Sequence, residues 1–298
     1  MKRTIALLMA LVMSLALFAG CGNTDSGDGE TKGTIVVGAP SNTEKQLVSY
    51  LYGYALEDAG YEIDWQMGAD MVFDALLSGD IDLTPDYVGT AYTRYMINDP
   101  IYDAKEMEDR VREYYAENND VALLEPSTID SNYAIVMLKD KADEMGIKNF
   151  QDLQEKSADI VFGDWGFLAM PTTGRSRIEE LFGPFNFKEV VDISSATGYD
   201  LLESGDVDAI IATTTDARLS DPQFLALDQG MEVWCRYYLA PFVRQEILDK
   251  YSDVEKIIND VTAILDTETV IGLKAKCDID MEEVDAVARD FYDTTIKK

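Results

Sequence analysis

Apolar positions alternate along the chain between short β-branched runs and longer helical stripes. Thr34 to Val37 is a first run of this kind. Thr43 can cap the helix that follows, which carries Leu47, Leu51 and Ala55 on one face and stops at Gly60. Tyr61, Ile63, Trp65 and Met67 then alternate with Glu62, Asp64 and Gln66, a period of two that predicts a strand with one buried face. Asp103 to Asn118 reads as an exposed amphipathic helix, with Met107, Val111 and Tyr114 among its charges. Later strands are predicted at Tyr133 to Met137 and Ile160 to Phe162, and later helices at Ser176 to Phe182, Val254 to Leu265 and Met281 to Tyr292.

Within this alternation one unit occurs twice. Leu76-Leu77-Ser78-Gly79-Asp80-Ile81-Asp82-Leu83 returns as Leu202-Glu203-Ser204-Gly205-Asp206-Val207-Asp208-Ala209. Each copy predicts a helix, a glycine stop and a strand, the strands carrying Ile81 and Leu83 in one and Val207 to Ile211 in the other. Helices alternating with buried strands favour an α/β layer, and two such units predict two lobes with a ligand between them. Spacing alone leaves a second account, a generic Ser-Gly-Asp turn used twice by chance. The breaks in pattern at Leu124 to Asn132 and after Gly230 place the crossings between lobes. The expected organisation is lobe 1 at residues 34–126, lobe 2 at 127–239, and a return to lobe 1 at 240–298.

The start of the chain has a different character. Lys2 and Arg3, an apolar run from Ile5 to Leu17, and Ala19-Gly20 before Cys21 predict a lipoprotein signal peptide over residues 1–20 with Cys21 as the lipidated mature end. Polar, Gly-rich residues 21–33 predict a flexible tether. The expected location is extracytoplasmic, anchored by lipid to the bacterial cell membrane.

Charge and composition narrow the chemistry. Without Lys2 and Arg3 the chain keeps 56 acidic and 23 basic residues, which excludes a nucleic-acid partner. It has no histidine, so the commonest general base and metal ligand is missing. Cys235 and Cys277 are too few for a disulfide framework, and the sequence leaves open whether they pair. Asp80/Asp82 and Asp206/Asp208 raise an acid–base or metal reading, but turn and cap acceptors account for them better.

Tyrosine is the informative residue type, with 16 Tyr against 3 Trp and 11 Phe. Tyr87, Tyr133, Tyr199, Tyr237 and Tyr238 stand at points that the two-lobe organisation brings to one cleft. Any one of them alone is a core or rim residue. Gathered around a cavity, their π-faces attract a quaternary ammonium that cannot donate N–H hydrogen bonds.

The run Ala75 to Ala91, ending Asp86-Tyr87-Val88-Gly89-Thr90-Ala91, resembles the signature of the osmoprotectant ABC-transporter binding proteins for glycine betaine, carnitine and choline. The resemblance extends through Gly38, Thr43 and Glu44, Asn132-Tyr133-Ala134, Tyr199 with Thr215-Asp216, and Tyr237 to Arg244. It implies a two-lobed, type II periplasmic-binding-protein-like α/β fold, each lobe a sheet flanked by helices, with the ligand in the interlobe cleft. It further implies a cage of Tyr87, Tyr133, Tyr199 and Tyr237, with Thr90 as a further ligand contact. Neither a cofactor, a metal nor an enzymatic activity is expected. The implied partners are a permease and its ATPase subunit, serving a monomeric receptor.

Two departures bear on the ligand. Pro40 stands where the family commonly has Lys, and Met170, in Phe167-Leu168-Ala169-Met170, where it commonly has Arg. In betaine binders those cations help to hold the carboxylate, so their loss favours choline or another carboxylate-free cation. Each missing charged hydrogen bond costs a carboxylate ligand about 1.5–3 kcal/mol. The alternatives are a receptor for another small solute, such as an amino acid or polyamine, and a surface-anchored hydrolase.

Overall fold

The computed structural model describes residues 31–97 and 99–297. The expected signal peptide, Cys21 and the tether up to residue 30 lie outside them. Ten strands are present among the described residues: β1 (Thr34–Ala39), β2 (Glu62–Met67), β3 (Leu83–Tyr87), β4 (Val121–Leu123), β5 (Tyr133–Leu138), β6 (Val161–Asp164), β7 (Glu189–Asp192), β8 (Ala209–Thr213), β9 (Phe224–Ala226) and β10 (Leu239–Arg244).

They form two five-stranded sheets of one design, ordered β2-β1-β3-β10-β4 and β7-β6-β8-β5-β9. In each, the first three strands are parallel and the fourth is antiparallel to the third, β10 against β3 and β5 against β8. Both of these fourth strands are buried on two faces. Leu239 and Val243 of β10 enter one apolar cluster and Ala240 and Phe242 the opposite one. Ile135 and Met137 of β5 face one cluster of the second sheet, Ala134 and Val136 the other. A strand buried on both sides has no polar face to alternate with, hence the unbroken apolar runs in both segments.

The repeat recurs bond for bond. The helices Val72–Ser78 and Gly198–Ser204 end on Gly79 (φ 89°) and Gly205 (φ 78°), where a side chain would be strained. Ser78 and Ser204 donate to Asp80 and Asp206 at 2.9 and 2.7 Å. Asp82 accepts from Val36 N–H at 2.9 Å, and Asp208 from Val161 N–H at 2.8 Å. These aspartates tie each strand's entry to the parallel neighbour, which is the structural role expected of them. The strands themselves begin at Leu83 and Ala209, later than Ile81 and Val207, because the paired aspartates first turn the chain into the sheet.

Other expectations need correction. Asn42, and not Thr43, caps the first helix, its Oδ1 accepting from Lys45 N–H at 2.9 Å, while Thr43 donates to Asp278. Tyr199, expected at the cleft, lies inside the Gly198–Ser204 helix. A helix at Thr267–Asp278 was not anticipated at all. Its Thr267, Thr269, Val270 and Ile271 are β-branched and followed by Gly272, all poor helix formers, so propensity argued against it. Asp266 nevertheless caps it at Thr269 N–H, and Val270, Leu273 and Cys277 bury one face. Cys277 and Cys235 are both free and buried.

Candidate functional site

The chain passes from the first sheet to the second between β4 and β5 and returns between β9 and β10. The two crossing segments run side by side. Ser131 N–H donates to Tyr237 C=O at 3.1 Å and Leu239 N–H to Ile129 C=O at 3.0 Å. Sequence position therefore dictates that residues flanking these crossings, together with the carboxyl ends of β3 and β8, face a common space. This is where open α/β sheets carry ligands.

A cavity of about 290 Å³ occupies that space. It is lined by Tyr87 at the end of β3 and Thr90 just after it, by Ser131, Asn132 and Tyr237 of the crossings with Tyr133 at the start of β5, and by Thr213 at the end of β8 and Thr215 just after it. Asn42, Glu44 and Lys274 complete the wall. Four of the five expected ligand-binding residues thus meet at one cavity. The fifth, Tyr199, does not line it. Its ring packs edge-on against Phe224 at 4.8 Å with Arg218 5.2 Å from its face.

Each cavity tyrosine is held by its own motif. Asp86 accepts from Tyr87 N–H and from Lys45 Nζ, both at 2.6 Å, and the Lys45 ammonium lies 4.8 Å from the Tyr87 ring centre. Tyr87 Oη donates to Glu44 Oε1 at 2.9 Å. Asp130 accepts from Tyr237 N–H at 2.8 Å and from Arg236 at 2.9 Å, fixing the return crossing. Gly89 is required by proximity. A Cβ there would lie 2.7 Å from the Arg236 carbonyl oxygen and 3.0 Å from Tyr237 Cδ1, so the Tyr87-Val88-Gly89-Thr90 turn lets the Tyr237 ring settle against bare backbone.

Tyr133 is set among aromatics, with Phe167 at 4.8 Å and Trp234 at 5.5 Å between ring centres. Its hydroxyl reaches Met170 Sδ at 3.7 Å. Met170, one of the two family departures, therefore stands beside a cavity tyrosine. Thr213 and Thr215 add hydroxyls on the second lobe, with Thr215 paired to Ser131 at 2.9 Å.

Burial pushes the phenols of Tyr87, Tyr133 and Tyr237 above the usual tyrosine range, with the Glu44 carboxylate adding to the effect at Tyr87. All three rings stay neutral across physiological pH. Their faces offer a constant negative potential to a cation, with no phenolate to titrate.

The sequence reading missed Glu44 as a cavity residue and missed Lys274 altogether. Glu44 is 1 % exposed. Lys274 Nζ donates to Thr215 C=O at 2.7 Å and lies 3.6 Å from Glu44 Oε2. Glu44 had a signal, as an acid at the start of a helix whose other face is apolar. Lys274 had none, because it rides on the helix that propensity concealed.

Residues 33–294 match the family model described as the substrate binding domain of the ABC-type glycine betaine transport system. The chain is 24% identical over 271 residues to the glycine-betaine-binding protein of Pseudomonas aeruginosa, covering 87% of this chain and 86% of that one. It is 23% identical over 296 residues to the carnitine transport binding protein OpuCC of Listeria monocytogenes, covering 97% and 96%. A solved structure titled glycine betaine/carnitine/choline ABC transporter matches with a TM-score of 0.81 at 20% identity, over 88% of this chain and 99% of that one. The fold is that of a two-lobed, type II periplasmic binding protein, as the sequence resemblance implied.

Proposed function

Because the chain belongs to the family of substrate-binding domains of ABC-type glycine betaine transport systems, we propose that it captures a quaternary ammonium compound in the tyrosine-walled cavity and delivers it to a membrane permease driven by an ATPase subunit. The observation that carries this is the convergence of Tyr87, Tyr133 and Tyr237 with Thr90 on one cavity between the sheets. A trimethylammonium head has no donors to satisfy, and three neutral π-faces stabilise it by about 0.5–2 kcal/mol each without the desolvation that a carboxylate cage would demand. Tyr199 is assigned to the ligand-closed state, in which lobe 2 (residues 127–239) advances on lobe 1 (34–126 and 240–298) and adds a fourth ring.

Choline is the ligand favoured over glycine betaine. Pro40 and Met170 supply no cation where the family commonly has two, and Met170 lies against Tyr133. Cys21 is the proposed lipid attachment site, holding a monomeric receptor at the outer face of the membrane. Among the described residues no helix is long and apolar enough to cross it.

Isothermal calorimetry with choline, glycine betaine and carnitine tests the assignment. Tight binding of glycine betaine with none of choline would refute the preference. Unaltered choline affinity in both Tyr87→Ala and Tyr237→Ala would remove the cage.

A further inference from the structure

Among the described residues, Glu44 and Lys274 are the only charged ones lining the cavity, and aromatic recognition of a cation uses neither. Glu44 sits in the first turn of the Thr43–Asp58 helix, buried under Tyr87. Its Oε1 accepts from Tyr87 Oη, but Oε2 is shielded from water and accepts no hydrogen bond. The nearest cation, Lys274 Nζ, stays at 3.6 Å and is anchored to the Thr215 carbonyl at 2.7 Å. A carboxylate and an ammonium this close normally bond directly, at about 2.7–2.9 Å. Here they stand apart at a cavity wall, and a buried acceptor is left with unused capacity. Leaving such an acceptor unmade is expensive, so a ligand that completes it gains correspondingly.

We infer that Glu44 and Lys274 form the specificity-determining end of the cavity and read a hydroxyl group carried by the ligand. This rests on the proposed quaternary ammonium function and adds the chemistry of the ligand's other end. A hydroxyl is amphoteric, accepting from the Lys274 ammonium while donating to Glu44 Oε2. With N and O 3.6 Å apart, its oxygen can lie within hydrogen-bond distance of both at once. A carboxylate satisfies only the lysine and brings its second oxygen against the Glu44 carboxylate. An alkyl group satisfies neither. The pair therefore selects a cationic alcohol over a betaine, even though it places a cation in the cavity.

The test compares choline with propyltrimethylammonium, in which a methyl group replaces the hydroxyl and the cation is unchanged. Calorimetry on the wild-type chain should give choline at least about tenfold tighter binding, as expected of a hydrogen bond to a charged group. Glu44→Gln should shrink that ratio severalfold and raise the affinity for glycine betaine relative to choline. Lys274→Met should also shrink the choline advantage. Unchanged melting temperatures of the free variants would certify that they are folded. Equal binding of choline and propyltrimethylammonium by the wild type overturns the inference and leaves the cage standing. So does a choline advantage that survives both substitutions. If neither salt binds, the quaternary ammonium function fails and this inference with it.

Discussion

Lys45→Met isolates the ion pair beside Tyr87. Lys45 Nζ and Asp86 Oδ1 are 2.6 Å apart, with side chains only 11% and 6% exposed, so water screens the pair little. Removing the lysine strands a buried carboxylate whose remaining partner is Tyr87 N–H. Breaking a buried pair from one side costs about 3–5 kcal/mol, against about 0–1 for an exposed pair. For a domain of this size that corresponds to a fall of about 5–9 °C in melting temperature. In Lys45→Met/Asp86→Asn the stranded charge is gone and the Asn carbonyl still accepts from Tyr87 N–H. The double variant should therefore be more stable than Lys45→Met alone. Urea unfolding followed by circular dichroism measures all three chains. A loss under about 1 kcal/mol in Lys45→Met, or a double variant less stable than the single, would refute the claim that the motif's aspartate is held as half of a buried pair.

Gly89→Ala forces a Cβ into the Arg236 carbonyl and the Tyr237 ring; it should destabilise by about 1–3 kcal/mol and weaken choline binding by more than Ala at exposed Gly205 does, as calorimetry and thermal melts on both variants would show. Asp82→Ala and Asp208→Ala each orphan a backbone N–H at a strand entry. Each should cost about 1–3 kcal/mol in urea unfolding, and because the two sites lie in different sheets the costs should add in the double variant. Tyr87, Tyr133 and Tyr237 have phenol pKa values raised by folding, so the neutral forms contribute stability that is fully present below the unfolded value near 10 and is lost as pH rises through the higher folded values. Choline affinity should thus be flat from pH 6 to about 9.5, measured by calorimetry, and the melting temperature should decline only beyond about pH 10; a midpoint in affinity near pH 8 would contradict neutral rings.

Much of this site was legible in the sequence because its residues follow local rules. Gly79 and Gly205 end helices, the aspartates after them turn the chain into a sheet, and the tyrosines sit where strands meet loops. What stayed hidden depends on contacts between distant segments. Lys274 reaches the cavity on a helix whose β-branched start and Gly272 oppose helix formation, and packing of Val270, Leu273 and Cys277 overrides that preference. Tyr199 has the right motif around it, yet its ring turns to Phe224, a partner 25 residues on that no periodicity marks. Asn42 took the cap from Thr43 because both are good capping residues, and the contact of Thr43 with Asp278, far along the chain, decides between them.

The two copies of the repeat explain why the cavity arises where it does. In each sheet the strand after the repeat is parallel to one neighbour and antiparallel to the other, so its carboxyl end lies where the strand direction changes. β3 delivers Tyr87 and Thr90 to the cavity and β8 delivers Thr213 and Thr215 from the other side. The same backbone design therefore yields an aromatic wall from one copy and a hydroxyl-bearing wall from the other. Glu44 and Lys274 come from outside the repeat, from the helices Thr43–Asp58 and Thr267–Asp278, both of which pack against the first lobe's core. The charged pair meets the aromatic wall at the hydrogen bond from Tyr87 Oη to Glu44 Oε1. Lys274→Met, or Glu44→Gln, which keeps an oxygen to accept from Tyr87 Oη, should shift which quaternary ammonium compound is preferred, whereas substituting Tyr87 or Tyr237 should weaken all of them together.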